Sequence, residues 1–121
     1  MSSRIVVKED SDPLLTIRLK KKIPGGGTNP YLLDGNPDVE FYVKEKLSDP
    51  DANALFLYTK TLGQIIISDD GMGVGDKYSE VTIQCSSAHL AAPAVHYFHL
   101  DVIKANKRDV VMHGFFEITD I

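Results

Sequence analysis

The 121-residue chain carries 17 acidic and 13 basic side chains, a formal charge of −4, and is 43% hydrophobic and 25% charged. Such a balance supplies no broad positive field for nucleic acid or an anionic membrane, and its make-up is that of an ordinary globular protein. The length allows one domain, residues 1–121, with core enough to fold without a metal or a disulfide.

Cys85 is the single cysteine, so no internal disulfide forms. Its place in the alternating run Val81-Thr82-Ile83-Gln84-Cys85 makes it a small, inert core residue. The opening Met1-Ser2-Ser3-Arg4 lacks the apolar run of a signal peptide, and no segment approaches membrane-spanning length. Synthesis and folding in a cytoplasm are expected.

In chain order, residues 4–8 form a short strand in which Ile5-Val6-Val7 is too continuous to assign faces, and Asp10-Ser11-Asp12-Pro13 breaks it. Leu15, Ile17 and Leu19 then alternate with Thr16, Arg18 and Lys20, the period of a half-buried strand. Residues 23–38 are irregular, with Gly25-Gly26-Gly27, Asn29-Pro30 and Asp34-Gly35 as turn signals, and Tyr31, Leu32 and Leu33 tucking the loop against the core. No helix pattern with Lys-Ser/Thr follows the glycines, so they do not read as a phosphate cradle.

Val39, Phe41 and Val43 alternate with Glu40, Tyr42 and Lys44 in the next strand. After it, Ser48-Asp49-Pro50-Asp51 predicts a helical turn capped by Asp49 with Pro50 at its first position. Strands follow at Leu55-Phe56-Leu57-Tyr58 and, past Gly63, at Ile65-Ile66-Ile67. The turn with Asp69, Asp70 and Asp76 is acidic and glycine-rich, but its spacing misses the calcium-loop pattern and no Glu closes it. Residues 78–85 make a strand, and Ser86-Ser87-Ala88-His89-Leu90 a short turn that plugs Leu90 into the core. In the long strand 95–103, His96, Phe98, Leu100 and Val102 share one face, and Tyr97, His99 and Asp101 the other. A polar hairpin loop, residues 105–109, leads to the last strand, 110–118, where Gly114 predicts a bulge or a close backbone crossing.

These elements predict an all-β fold: an antiparallel immunoglobulin-like β-sandwich of seven to eight strands with one or two short helical turns. Chemistry is sparse. His96 and His99 point to opposite faces and cannot chelate one metal together, while His99 and Asp101 share a face and can meet His113 across a hairpin. No serine sits in a nucleophile elbow, so no catalytic, metal or cofactor site is assigned. Outward aromatics on a sandwich suit a subunit contact, and Tyr31, Leu32, Tyr42, Tyr97 and His99 are the partner-binding candidates.

Three stretches carry a resemblance: Tyr31-Leu32-Leu33-Asp34-Gly35, Val39-Glu40-Phe41-Tyr42-Val43-Lys44, and Asp49-Pro50-Asp51-Ala52-Asn53-Ala54-Leu55-Phe56 with Lys60-Thr61. They resemble a family of small proteins of tailed phages and prophages, itself similar to the N-terminal β-sandwich domain of siphophage upper baseplate proteins. His96-Tyr97-Phe98-His99-Leu100-Asp101-Val102 and Gly114-Phe115-Phe116-Glu117-Ile118 fit the aromatic-rich and closing strands of that pattern. The sequence departs from it in the glycine-rich insertion at residues 25–29 and in Pro93-Ala94-Val95. The resemblance implies a structural or adaptor subunit of the virion (tail, baseplate, fibre or neck) that contacts other virion proteins and forms homo-oligomers. It implies no active site, nucleic acid or membrane partner. A capsid decoration protein, or a carbohydrate-binding module using Tyr residues and the acidic turn, are the alternative expectations.

Overall fold

The computed structural model describes residues 3–22 and 24–120. Ile23, at which the irregular segment was expected to open, and Met1-Ser2 lie outside the described residues.

Among the described residues nine strands run in chain order: β1 (Ser3–Lys8), β2 (Leu14–Lys22), β3 (Thr28–Pro30), β4 (Asp38–Lys44), β5 (Phe56–Thr59), β6 (Ile65–Asp69), β7 (Ser79–Gln84), β8 (Ala94–Lys104) and β9 (Lys107–Thr119). They form a five-stranded sheet of order β1-β9-β8-β4-β5 and a four-stranded sheet of order β3-β2-β7-β6. Two 3-10 turns, Asp51–Asn53 and Ser87–His89, complete the regular structure. The chain is therefore an all-β sandwich, with one strand more than expected. The addition is β3, which pairs with the end of β2 from inside the glycine-rich segment. One pairing also differs from the antiparallel expectation, because β1 runs parallel to β9.

Alternation decides the core. Phe41, Val43, Phe98, Leu100 and Phe116 of the larger sheet meet Ile17, Leu19, Val81 and Ile83 of the smaller one, all buried. Phe41 stacks on Phe98 at 5.3 Å and meets Phe116 edge-on at 6.0 Å, arrangements that aromatic quadrupoles favour. Leu90 is buried as the plug of its turn, and Leu33 is the residue that anchors its loop. Tyr58 is fully buried, its hydroxyl accepting from Ser86 N at 3.0 Å and lying 2.9 Å from His89 Nδ1.

Two local expectations are corrected. Asp49 does not cap the first 3-10 turn; Pro50 holds the cap position and Asp49 Oδ2 accepts from Lys46 N instead. The β8–β9 hairpin closes through Ala105 and Asn106 alone, with φ of 48° and 66°. Two successive positive φ values make the tight turn whose twist matches its strands, so β9 begins at Lys107 and not after a five-residue loop. The five-stranded sheet's β5 edge is also less open than a bare strand: Gln64 Oε1 accepts from Thr59 N and Gln64 N donates to Thr59 O.

Gly114 is a close crossing. It is buried opposite Ser3 in the β1–β9 pair, and a Cβ added there would collide with the Ser3 backbone. The Gly114→Ala variant should lose about 1–3 kcal/mol of stability, the usual cost of overpacking, with amide protection falling first along β1. Urea unfolding and hydrogen exchange measure both.

Candidate functional site

The two outer faces of the sandwich differ. On the four-stranded sheet, Thr16, Arg18, Lys20, Glu80, Thr82 and Ser68 point outward, and only Leu14 and Ile66 interrupt them as large apolar groups. On the five-stranded sheet the outer face divides into a charged half on β4, β8 and the start of β9, and an apolar half on β1, β8 and the end of β9.

The charged half grows from strand register. Glu40 of β4 stands opposite Asp101 of β8, and Tyr42 opposite His99. Two carboxylates facing each other across an antiparallel pair repel. Arg108 resolves the conflict, its Nη1 donating to Glu40 Oε1 and to Asp101 Oδ2, each at 2.7 Å. Asp101 is fully buried, and its other oxygen lies 2.6 Å from His99 Nδ1. The bonds from Asp101 and Glu40 push the Arg108 guanidinium still further into its charged form. Tyr42 stacks on His99 at 4.7 Å between ring centres and donates its hydroxyl to Glu40 Oε1 at 2.7 Å. Burial, then that carboxylate, pushes the Tyr42 hydroxyl up to about 12.

The segment joining β4 to β5, residues 45–55, covers this cluster. Lys44, itself buried, donates to Asp49 O at 2.8 Å and to Asp51 Oδ1 at 2.6 Å. That Lys44 bond holds the Asp51 carboxyl below its ordinary range. A depression of about 310 Å³ remains between Leu47, Val110 and His113, floored by His99 and Asp101.

Tyr42 and His99 thus lie on the outward face, as alternation demands, but each is only 6% exposed. The expectation that both rings are free to meet a partner is corrected: they are spent on contacts within the chain. His99 and Asp101, which share a face as alternation requires, pair through His99 Nδ1 and Asp101 Oδ1, and His113 stands opposite His99 in the β8–β9 register. Tyr31 and Leu32 lie elsewhere, beside the β8–β9 hairpin, where Tyr31 donates to Asp109 Oδ2 at 2.6 Å and Leu32 stays 39% exposed. Burial, and then Asp109, raise the Tyr31 hydroxyl well above its ordinary range.

The apolar half contains the fifth candidate, Tyr97, whose ring packs 5.2 Å from that of Phe115. Around them Val6, Val95 and Phe115 are 54%, 59% and 40% exposed. Arg4 Nε donates to Glu117 Oε2 at 3.1 Å along the same patch. Val95 and Phe115 were missed as contact residues although each is an outward position of an alternating strand, and Val6 because the continuous run Ile5-Val6-Val7 shows no alternation. Arg108 gives no signal in the sequence because the polar run 105–109 reads as a loop, whereas the hairpin closes at Ala105-Asn106 and puts Arg108 on β9.

In the acidic turn, Asp69, Asp70 and Asp76 accept from the backbone N–H groups of Gly71, Met72 and Gly73 at 2.9, 3.0 and 2.9 Å. The first two are ordinary Asx-type turn bonds and the third reaches back three residues across the turn, and among the described residues no three His, Cys, Asp or Glu side chains are placed to hold a metal ion. No family model matches the chain, and no curated protein matches it.

Cys85 lies against Tyr58, and burial pushes its thiol from 9.0 to about 11 and the Tyr58 hydroxyl from 10.0 to about 12. Both groups bind their protons more tightly when folded, so their contribution is full below pH 9 and is lost as pH rises through about 11 and 12. At pH 8 the folded thiolate fraction should be about a hundredfold below that of the unfolded chain. Iodoacetamide labelling with and without denaturant checks this; equal rates would contradict it.

Proposed function

We propose that this protein is a structural or adaptor subunit of a tailed-phage particle, a tail, baseplate, fibre or neck component. It works by contacts with other virion proteins and with further copies of itself. The observation that supports this reading is the exposed apolar patch of the outer face, where Val6, Val95, Tyr97 and Phe115 lie on three neighbouring strands around the Arg4–Glu117 ion pair. Exposed apolar side chains gathered on a flat sheet gain free energy when covered, at roughly 25 cal/mol per Å² removed from water. The all-β sandwich is also the architecture that the phage-family resemblance implies. A patch of this size gives a modest single contact, which repeated copies in a symmetric assembly multiply.

The contact is thus assigned to Tyr97 and its apolar neighbours, with Leu32 at the hairpin end as a second accessible apolar point. The test uses purified protein, the products of the neighbouring structural genes, and mass photometry. Native chain and the Thr16→Glu variant, altered on the polar face, should be retained by a neighbouring subunit, whereas Val6→Glu and Phe115→Glu should lose retention at least about tenfold, the effect of removing some 1.4 kcal/mol of contact. Retention unaffected by Val6→Glu and Phe115→Glu, or a native chain that stays monomeric and binds none of these products, would overturn the proposal.

A further inference from the structure

β1 forms one side of the five-stranded sheet, and its outer edge is open. At its end Glu9 N donates to Thr119 O at 2.8 Å, across from β9. Successive residues of a strand turn their N–H and C=O groups to opposite sides, so alternate residues bond to a parallel neighbour and those between point away. Ile5 and Val7 therefore bond toward β9, and the backbone groups of Arg4, Val6 and Lys8 face the edge. Ser11 Oγ donates to Lys8 O at 2.5 Å. Among the described residues no other group meets the Arg4 and Val6 N–H and C=O or the Lys8 N–H. The remaining edges are closed or short: Gln64 bonds along β5, β3 has three residues, and β6 is irregular between Ile67 and Asp69. β1 offers six residues in unbroken register with β9, and a long, regular, exposed edge is a template for another strand.

The side chains along the edge define what that strand carries. Arg4, Val6 and Lys8 are the exposed residues of β1, and register extends their rows across the outer face: Arg4 to Phe115 and Tyr97, Val6 to Glu117 and Val95. An antiparallel strand, the more stable of the two pairings, adds one residue to each row. Beside Val6 it gains by being apolar; beside Arg4 and Lys8 it gains by being acidic. Arg4 gives Glu117 only part of its guanidinium, whose five N–H groups leave donors for a second carboxylate. We propose that the β1 edge is a strand-addition site for an extended segment of a neighbouring protein, with an apolar residue opposite Val6 and an acidic residue opposite each of Arg4 and Lys8. A second copy of this chain fits less well, because the two-fold register centred on Val6 sets Arg4 against Lys8 of the other copy twice. The inference deepens the subunit contact above and rests on that reading only for the source of the strand.

The test uses native protein and a blocked synthetic peptide, Thr-Glu-Thr-Val-Thr-Glu-Thr, with amide NMR shifts followed at peptide concentrations up to about 1 mM, the weak-binding range. The peptide should bind, with the largest shifts at Arg4, Val6 and Lys8. N-methylation of its valine, whose N–H faces Val6, should weaken binding at least about tenfold, as should replacing both glutamates by lysine. N-methylation of a threonine beside the valine, whose N–H faces solvent, should leave binding unchanged. No binding at about 1 mM, equal effects of the two N-methylations, or undiminished binding of the lysine peptide would overturn the proposal. So would a native chain that dimerises through β1 and takes no peptide, since the occupant would then be a second copy. No neighbouring gene product enters this test, so its outcome is separate from whether such a product retains the chain.

Discussion

Glu40 and Asp101 face each other across the β4–β8 pair, and the Arg108 guanidinium reaches both. This register is forced: shifting it by one residue would turn Phe41, Val43, Leu100 and Val102 out of the core. The core therefore places two like charges together, and one cation must answer them. The two-residue turn at Ala105-Asn106 starts β9 early enough for Arg108 to do so. Once Asp101 is held, His99 is oriented, Tyr42 stacks on it, and Asp51 has a ring against which to set the covering segment.

That network explains the division of the outer face. Polar groups that converge can be buried when each finds a partner, and among the described residues no buried side-chain nitrogen or oxygen lacks one. The charged half is closed by the chain itself. Toward β1 the outward residues include Val6, Val95 and Phe115, 54%, 59% and 40% exposed, with the Arg4–Glu117 ion pair among them. One outer face is thus half sealed by the chain and half exposed.

Much of the fold was legible because a period of two says which side chains face each other. Val39, Phe41, Val43, Phe98, Leu100 and Phe116 all fall where alternation puts them, and Gly114 marks a crossing because only a missing side chain admits Ser3 there. Alternation says nothing about what lies over the outer face, so Tyr42 and His99 read as exposed until residues 45–55 are seen above them. Nor does it fix strand direction, and the parallel β1–β9 pair was hidden for that reason. The tight turn was missed because Ala105 is an L-residue with a Cβ at positive φ, where Gly or Asn would have announced it. β3 has three residues and no apolar pattern, so only its hydrogen bonds to β2 reveal it.

The dependence of this face on Arg108 is tested most directly by a double-mutant cycle of Arg108→Met and Glu40→Gln, read by urea unfolding. With Arg108 present, Glu40→Gln should destabilise the protein, because it removes one end of the bridge. In the Arg108→Met background the same change should stabilise it, by relieving an unanswered repulsion with Asp101. If the Glu40→Gln effect has one sign and size in both backgrounds, Arg108 does not hold these carboxylates together and the account fails.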